Sequence, residues 1–297
     1  MKRWQVGDVV VTRIEESQGP GFTPQQLFND WTDEAIAPHL DWLQPDYFDP
    51  VAGRLVTSIH TWLLQTPAHT ILIDTCAGNH KERSFSPRFH HLDTPWLQRL
   101  EAAGVHTNDV DIVMCTHLHV DHVGWNTRLS NGRWVPTFPN ARYVFSRLEH
   151  DHWSPVDNPS IVERYPLKEQ IYQDSVLPVV EAGLAHFSDG SEAIDDWVTV
   201  EPAPGHTPGH IVVKLASKGR KALFSGDILH HPIQIVNPGW NSMFCEQQEQ
   251  AVATRRKVLE FCAKEDALLM PAHFAHPHAA KIDCHCDGTK FRFKWAR

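Results

Sequence analysis

The stretch MCTHLHVDHVGWN, residues 114–126, sets His117, His119 and His122 around Asp121 within six positions. Neutral imidazole nitrogen and anionic carboxylate are ligands for borderline divalent cations, zinc above all, at about 2.0–2.2 Å. With 21 histidines in 297 residues, chance fills those three slots somewhere in such a chain with a frequency of roughly 0.1, and requiring the aspartate lowers it by about another order of magnitude. The apolar residues before the cluster, and Val123, Gly124 and Trp125 after it, fit poorly with a solvated charged loop. His117 and His119, two apart, can point to one side, whereas the adjacent Asp121 and His122 must diverge. One short segment could thus feed two ions without completing either ligand shell.

The missing ligands must come from other strand ends on the same rim. His206 in APGHTPGH, Asp227 in LFSGDILHH and His273 in LLMPAHFAH each end an apolar strand or lie in the loop after it. They complete a candidate metal-binding set of His117, His119, Asp121, His122, His206, Asp227 and His273. The elements that would position them alternate along the chain. DVDIVMCTH reads as a buried strand running straight into the histidine cluster, where active sites of α/β proteins commonly lie. Residues 54–75 read as two strands joined at Thr66, Pro67 and Ala68. DTPWLQRLEAAG is expected to be a helix with Trp96, Leu97, Leu100 and Ala103 on one face, opened by Asp93 or Thr94 and closed by Gly104. WVPTFPNARYVFS reads as strand, turn and strand, and SVLPVVEAGLAHF as a helix with Pro178 near its start. WVTVEP leads into the APGHTPGH loop, and IVVKLAS and KALFSGD form a hairpin about Lys218 and Gly219. A helix with Ala251, Val258, Leu259 and Cys262 on one side then precedes the strand ALLMPAH. No repeat or low-complexity tract appears. The expected organisation is one α/β domain over residues 51–297, with residues 1–50 as a flap or dimer arm of that domain, since residues 19–50 follow neither period.

Composition sets the surroundings. A net charge of -9 with no basic stripe argues against nucleic acid as a partner. No apolar run reaches the length of a membrane span or of a signal peptide, so neither membrane insertion nor export is expected. The six cysteines lack the density of a disulfide scaffold and read as reduced, packed thiols, which fits a cytoplasmic protein.

In order and spacing, THLHVDH, PGHTPGH, FSGD and a late PAH strand resemble the metallo-β-lactamase-fold hydrolases, over roughly Leu55 to His273. The resemblance implies a four-layer αββα sandwich. It implies that His117, His119 and His206 hold one metal, that Asp121, His122 and His273 hold a second, and that Asp227 bridges them. Asp74 in LIDTC looks like the family's buried aspartate that braces the ligand loop. The implied cofactor is two divalent ions, Zn2+ first, with Mn2+, Fe2+ or Co2+ as alternatives. Two such ions, less Asp121, Asp227 and a bridging hydroxide, leave about one positive charge to favour a developing oxyanion. Zinc lowers the pKa of bound water from about 15.7 to about 7, making hydroxide roughly 12 kcal/mol easier to form. Asp121 is the candidate proton shuttle.

Asp227 stands where many antibiotic-hydrolysing members have cysteine or histidine, and His119 where the oxygen-reducing di-iron members have glutamate. HVDHVGWN, GRWVPTFPNARYVFSRLEHDHW and SGDILHHP are most similar to the branch of N-acyl homoserine lactone lactonases and methyl parathion hydrolase. One position departs: typical lactonases carry a tyrosine three residues after the bridging aspartate, and this chain has His230, whose imidazole could donate the same bond to a substrate carbonyl. The expected activity is therefore hydrolysis of a small-molecule lactone or ester, with a phosphotriester as the second substrate class and a non-catalytic metal-holding protein as the alternative of another kind. A homodimer is compatible with the arm. Phe22, Trp31, Phe48, Trp125 and Trp153 are candidates for an apolar pocket or for plain core packing. His60, His150, His152, His231, His276 and His278 are surplus, and His210 is expected to pack beneath its loop. Cys284, His285 and Cys286 alternate along an apparent strand, so packing is expected there rather than one shared ion.

Overall fold

The computed structural model describes residues 2–284 and 290–296, so His285 and Cys286 lie outside the described residues. The first sheet begins with β1 (Arg3–Val6), β2 (Val9–Pro20), β3 (Phe48–Asp49), β4 (Arg54–Gln65), β5 (Thr70–Ile73) and β6 (Ile112–Met114). A separate ribbon, β7 (Thr127–Ser130) and β8 (Arg133–Pro136), intervenes before β9 (Arg142–Ser146) and β10 (Ala185–Ser188) return to that sheet. Its order is β1-β2-β4-β5-β6-β9-β10, with β3 paired to β4. The second sheet keeps chain order: β11 (Glu192–Ala193), β12 (Val198–Pro202), β13 (Ile211–Ser217), β14 (Arg220–Phe224), β15 (Leu268–Met270), β16 (Ala280–Cys284) and β17 (Phe291–Trp295).

Strand periodicity makes these sheets into a sandwich. Ile71, Ile73, Ile112 and Met114 face one core with Val213, Leu215, Ala222 and Phe224 of the second sheet. The alternate residues Leu72 and Val113 face the opposite way, into a cluster with Trp96, Leu100, Ile171 and Val176 from the helical layer. Leu223 and Leu269 likewise turn outward onto Val258, Leu259 and Cys262 of helix Gln248–Lys264. Both sheets are thus apolar on both faces, which is the four-layer αββα arrangement.

Pairing explains where the functional loops gather. β5 and β6 are parallel, as are β14 and β15, so the loops following each pair leave from the same sheet edge. The sheets meet at that rim, where the Ile211 amide donates to the Thr116 carbonyl at 2.9 Å and the Ser58 amide to the His273 carbonyl at 3.0 Å. Residues 24–47 form the short helices Pro24–Leu27, Asp33–Ile36 and Leu40–Leu43. Leu27, Phe28, Trp31 and Tyr47 from this region pack with Ile233 and Ala275, which flank the rim.

Two helices differ from expectation in their bounds or caps, and one strand was not expected. The helix in SVLPVVEAGLAHF stops at Glu181, because Gly183 takes a left-handed φ of 71° and turns the chain into β10. WVPTFPNARYVFS is strand, turn and strand as expected, in β8 and β9; the strand β7 was not expected, and β8 folds back on it about Asn131 and Gly132, at φ 50° and 76°. Asn-Gly between short strands is a strong hairpin signal. The helix expected at 93–104 runs Trp96–Ala102, with Pro95 rather than Asp93 or Thr94 at its N-cap.

Candidate metal centre

Four loops supply the site: those after β6, β12, β14 and β15. The first folds into a tight turn, the His122 amide donating to the His119 carbonyl at 3.1 Å and the Thr75 amide to the His122 carbonyl at 2.7 Å. The Asp227 loop enters through Gly226, whose φ is +49°. A Cβ there would lie 2.6 Å from His210 Nε2 and 2.7 Å from Thr116 Oγ1, so only glycine lets Asp227 approach this closely.

All seven residues singled out in the sequence converge. His117, His119, His206 and Asp227 form one cluster of converging donor atoms, and Asp121, His122 and His273 form another. His206 Nε2 lies 3.1 Å from His117 Nε2 and 2.9 Å from His119 Nδ1. Asp227 joins the clusters: Oδ2 is 3.8 Å from His117 Nε2 and 3.5 Å from His206 Nε2, while Oδ1 is 3.3 Å from His122 Nε2 and 2.9 Å from His273 Nε2. Asp121 closes the second cluster, 3.8 Å from His122 Nε2 and 3.6 Å from His273 Nε2. Four ligands at 2.0–2.1 Å from a cation would stand about 3.3–3.4 Å apart at the edges of a tetrahedron. Asp227 Oδ1 and His122 Nε2 are buried and, despite their close neighbours, make no well-aligned hydrogen bond. Buried polar atoms that converge without bonding to one another fit a divalent cation between them.

The outward nitrogens are held in place. Asp74, itself at a left-handed φ of 55°, sets Oδ2 2.9 Å from His122 Nδ1 and accepts from Thr116 N at 2.7 Å. Such strain in a non-glycine residue persists where the surroundings dictate it. His273 Nδ1 faces the Ser58 carbonyl at 3.0 Å, and His117 Nδ1 faces Thr116 Oγ1 at 3.2 Å. His210 lies beneath the centre and accepts the Asp227 amide at 3.1 Å through Nε2. These contacts leave His117, His122 and His273 with Nε2 facing inward.

Charge balance has the same origin. Burial holds His117, His119 and His206 well below the usual imidazole range, which keeps them neutral, the form that binds cations. Burial acts on His122 and His273 too, but Asp227, with Asp74 beside the former and Asp121 beside the latter, outweighs it and raises both. Asp227 is held well below the carboxylate range because His273, His122 and His230 overcome its burial. A buried anion ringed by imidazoles calls for positive charge between them.

Above the clusters opens a cavity of about 250 Å³, into which His119, Asp121, Asp227, His230 and His273 project. His230 sits against the shared carboxylate, its Nε2 3.2 Å from Asp227 Oδ2 and 3.3 Å from Ser242 Oγ. Of the aromatic candidates only Phe22 lines this cavity. Trp125 stacks on Trp96 in the core, with ring centroids 5.3 Å apart, and Trp31 and Phe48 belong to the cluster around Tyr47. Trp153 packs edge-on to His119 at 5.3 Å without lining the cavity. None of the surplus histidines lines it.

Sequence reasoning missed the carboxylates that tie the loops together. Glu149 accepts from Leu118 N at 3.1 Å, Thr207 Oγ1 at 2.6 Å, Gly209 N at 3.1 Å and Trp153 Nε1 at 2.8 Å. It thereby joins the His117–His122 loop to the His206 loop. Glu16 accepts from Ala77 N, Gly78 N and Trp125 Nε1 at 2.9, 3.0 and 2.8 Å. It missed Arg88 and Lys168 of the cavity wall as well.

The chain is similar to known proteins. A sequence model described as the Metallo-beta-lactamase superfamily matches residues 54–273. The N-acyl homoserine lactonase AttM of Agrobacterium fabrum is 26% identical, over 77% of this chain and 83% of its own. A probable metallo-hydrolase of Mycobacterium tuberculosis is 25% identical over 58% of this chain, which spans only 57% of that relative's length. Among solved structures, the hydrolase AbOPH in the beta lactamase superfamily superposes with a TM-score of 0.81 at 27% identity, covering 99% of this chain and 97% of its own. AidC, described as a dizinc quorum-quenching lactonase, shares the fold with a TM-score of 0.78 at 21% identity, covering 100% of this chain and 97% of its own.

Proposed function

The chain belongs to the metallo-beta-lactamase superfamily, and on that premise we propose that it is a dinuclear metal-dependent hydrolase that opens lactones or cleaves carboxylic esters. One observation carries the reading: the two oxygens of Asp227 face different histidine clusters. In this reading His117, His119 and His206 would hold one cation and Asp121, His122 and His273 the other, with Asp227 shared between them. Imidazole and carboxylate donors favour Zn2+. When bound, such ions bring the pKa of water toward about 7 and polarise a substrate carbonyl.

The chain's own residues do the rest. Asp121, at the edge of the cavity, takes the proton that the attacking water gives up and returns it to the leaving alkoxide oxygen. His230 donates a hydrogen bond from its ring to the carbonyl oxygen, where charge develops. Phe22, Phe89 and Phe244 exclude water and seat the apolar part of the substrate. The relationship to AttM supports the lactone arm of this reading.

The test combines metal analysis with pH-stat hydrolysis of acyl-homoserine lactones, simple lactones, nitrophenyl esters and methyl parathion. The expected result is two metal equivalents per chain and turnover of lactones or esters that chelation abolishes and Zn2+ restores. Full activity in exhaustively chelated, metal-free protein overturns the reading. Turnover of methyl parathion alone replaces it with a phosphotriesterase, and two metals without turnover replace it with a metal-holding binding protein.

A further inference from the structure

The cavity above the clusters is apolar on most of its wall, with Phe22, Phe85, Phe89 and Phe244 among its residues, yet two cationic side chains reach into it. Arg88 is anchored by one hydrogen bond, from Nη2 to Thr57 Oγ1 at 3.0 Å. Its Nη1 lies so close to Gly21 that a Cβ there would fall 2.5 Å from it, so the guanidinium occupies the space a larger residue would take. Lys168 places its ammonium over the rings of Tyr165 and Trp153, 4.4 and 5.3 Å from their centroids. Among the described residues, no carboxylate oxygen lies within 4.0 Å of either cationic group.

Other buried guanidinium groups have several of their donors engaged by the protein, one by a carboxylate and one by backbone carbonyls. Arg83 meets Asp174 at 2.6 Å, and Arg255 donates to two backbone carbonyls, those of Ile228 and Pro238, at 2.8 Å each. The acids that line the cavity, Asp121 and Asp227, both belong to the histidine clusters and have their charge committed there. Desolvation of a cation without an anion in contact is costly, and burial depresses both Arg88 and Lys168 by more than the attraction of Asp121 and Glu16 for the first, and of Glu246 and Asp121 for the second, restores. A ligand could supply the absent anion.

Resting on the hydrolase reading above, we propose that the substrate is an ester or lactone that carries a free carboxylate beyond an apolar segment, and that Arg88 and Lys168 are the specificity residues that hold it. A guanidinium suits this task because it binds a carboxylate through paired N–H donors, and the ammonium adds a second positive charge. The apolar wall would seat the segment between the scissile carbonyl and the anion.

Two matched comparisons test this. In the first, kcat/KM is measured for 4-nitrophenyl hexanoate against mono-4-nitrophenyl adipate, and for phenyl butyrate against carboxyphenyl butyrate, so that the anion lies on the acyl or the alcohol side. The expected result is a preference for the anionic member of at least one pair by about tenfold or more, and its loss in Arg88→Met and Lys168→Met. Equal rates within both pairs, or a preference that persists in the Arg88→Met/Lys168→Met double variant, overturn the proposal, since the metal centre alone would then account for any attraction. The second comparison uses calorimetry of adipate against hexanoate on the zinc-loaded protein. Tighter adipate binding that falls selectively in the Arg88→Met variant supports the proposal even where no ester is turned over, an outcome that would count against the hydrolase reading alone. Equal binding of the two acids overturns the proposal and leaves hydrolysis intact. Arg88→Lys, which keeps the charge, should recover part of the preference; recovery of nothing, with normal melting, also counts against it.

Discussion

Replacing Glu149 tests whether the metal loops are held by one another or by a buried anion behind them. Its carboxylate is surrounded by donors: Leu118 N, Gly209 N, Thr207 Oγ1 and Trp153 Nε1. Burial raises this carboxyl above the usual range, yet a group that accepts on every side and faces no acceptor must be ionised to satisfy its neighbours. In Glu149→Gln the amide oxygen can satisfy part of that set, while the new NH2 is set against N–H and O–H donors. Hydrogen bonds to a charged group contribute about 1.5–3 kcal/mol each, and the relief of burying no charge returns part of it, so a net loss of roughly 2–4 kcal/mol is expected. In a chain of this size that corresponds to a fall in melting temperature of about 3–6 °C. Because Glu149 links the His117–His122 loop to the His206 loop, zinc affinity should fall with stability, read by competition against a chelating dye. Melting within about 2 °C of the parent together with unchanged zinc affinity would refute the argument, since it would mean that the loops stay in register without their shared acceptor.

Asp227→Ala should remove activity by about three orders of magnitude or more and lower the metal content below two equivalents; near-normal rates would show that the shared carboxylate is not a bridge. His230→Phe should lower kcat on lactones by roughly 10–100-fold with a smaller change in KM, and His230→Tyr should recover most of it, because a phenol also donates to an oxyanion; equal rates for Phe and His would exclude the proposed hydrogen bond. Lys81 provides a pH test: burial lowers its pKa to about 7, and Asp174, which it approaches at 3.4 Å, is already engaged by Arg83. The unfolded chain holds that proton up to about 10.4, so between about pH 7 and 10 the unfolded state binds more protons and stability should rise with pH, by at most about 1.4 kcal/mol per unit. Urea titrations should show this slope in the parent and not in Lys81→Met; the same slope in both would assign it elsewhere.

The candidate ligand residues were legible because their chemistry is rare and local. Three imidazoles and a carboxylate in one short loop restrict the options before any fold is known, and the strand that delivers them announces itself as a short apolar run, Ile112, Val113 and Met114. The supporting residues were not legible, because an isolated Glu or Arg looks the same on a solvated face as in a core. Glu16 acquires its meaning only from Trp125, 109 positions away, and Glu149 from Leu118 and Gly209, 31 and 60 positions away. Strand β2 was hidden for a related reason. Its register shifts between Glu15 and Ser17, which breaks the alternation where the charged residues fall, and the inward-facing residue there is Glu16 itself. The missed β7–β8 ribbon differs, since Asn131 and Gly132 were a readable signal.

A physical reason connects the hidden residues to the visible ones. The ligand loops leave the sheets, so their amides lose the partners that a strand would provide, and at a buried rim water cannot replace them. A carboxylate accepts several donors at once, which makes buried Glu16, Asp74 and Glu149 efficient closures for Ala77 and Gly78, Thr116, and Leu118 and Gly209 respectively. Each also adds negative charge near the histidine clusters without lining the cavity. A pair of cations in the clusters would offset that charge, so the anions that stiffen the loops also favour occupancy of the centre. The same reasoning separates Arg88 and Lys168 from this framework: they line the cavity with no carboxylate oxygen within 4.0 Å among the described residues, the more distant Asp121, Glu16 and Glu246 offset their burial only in part, and positive charge placed there favours an anion arriving with the substrate.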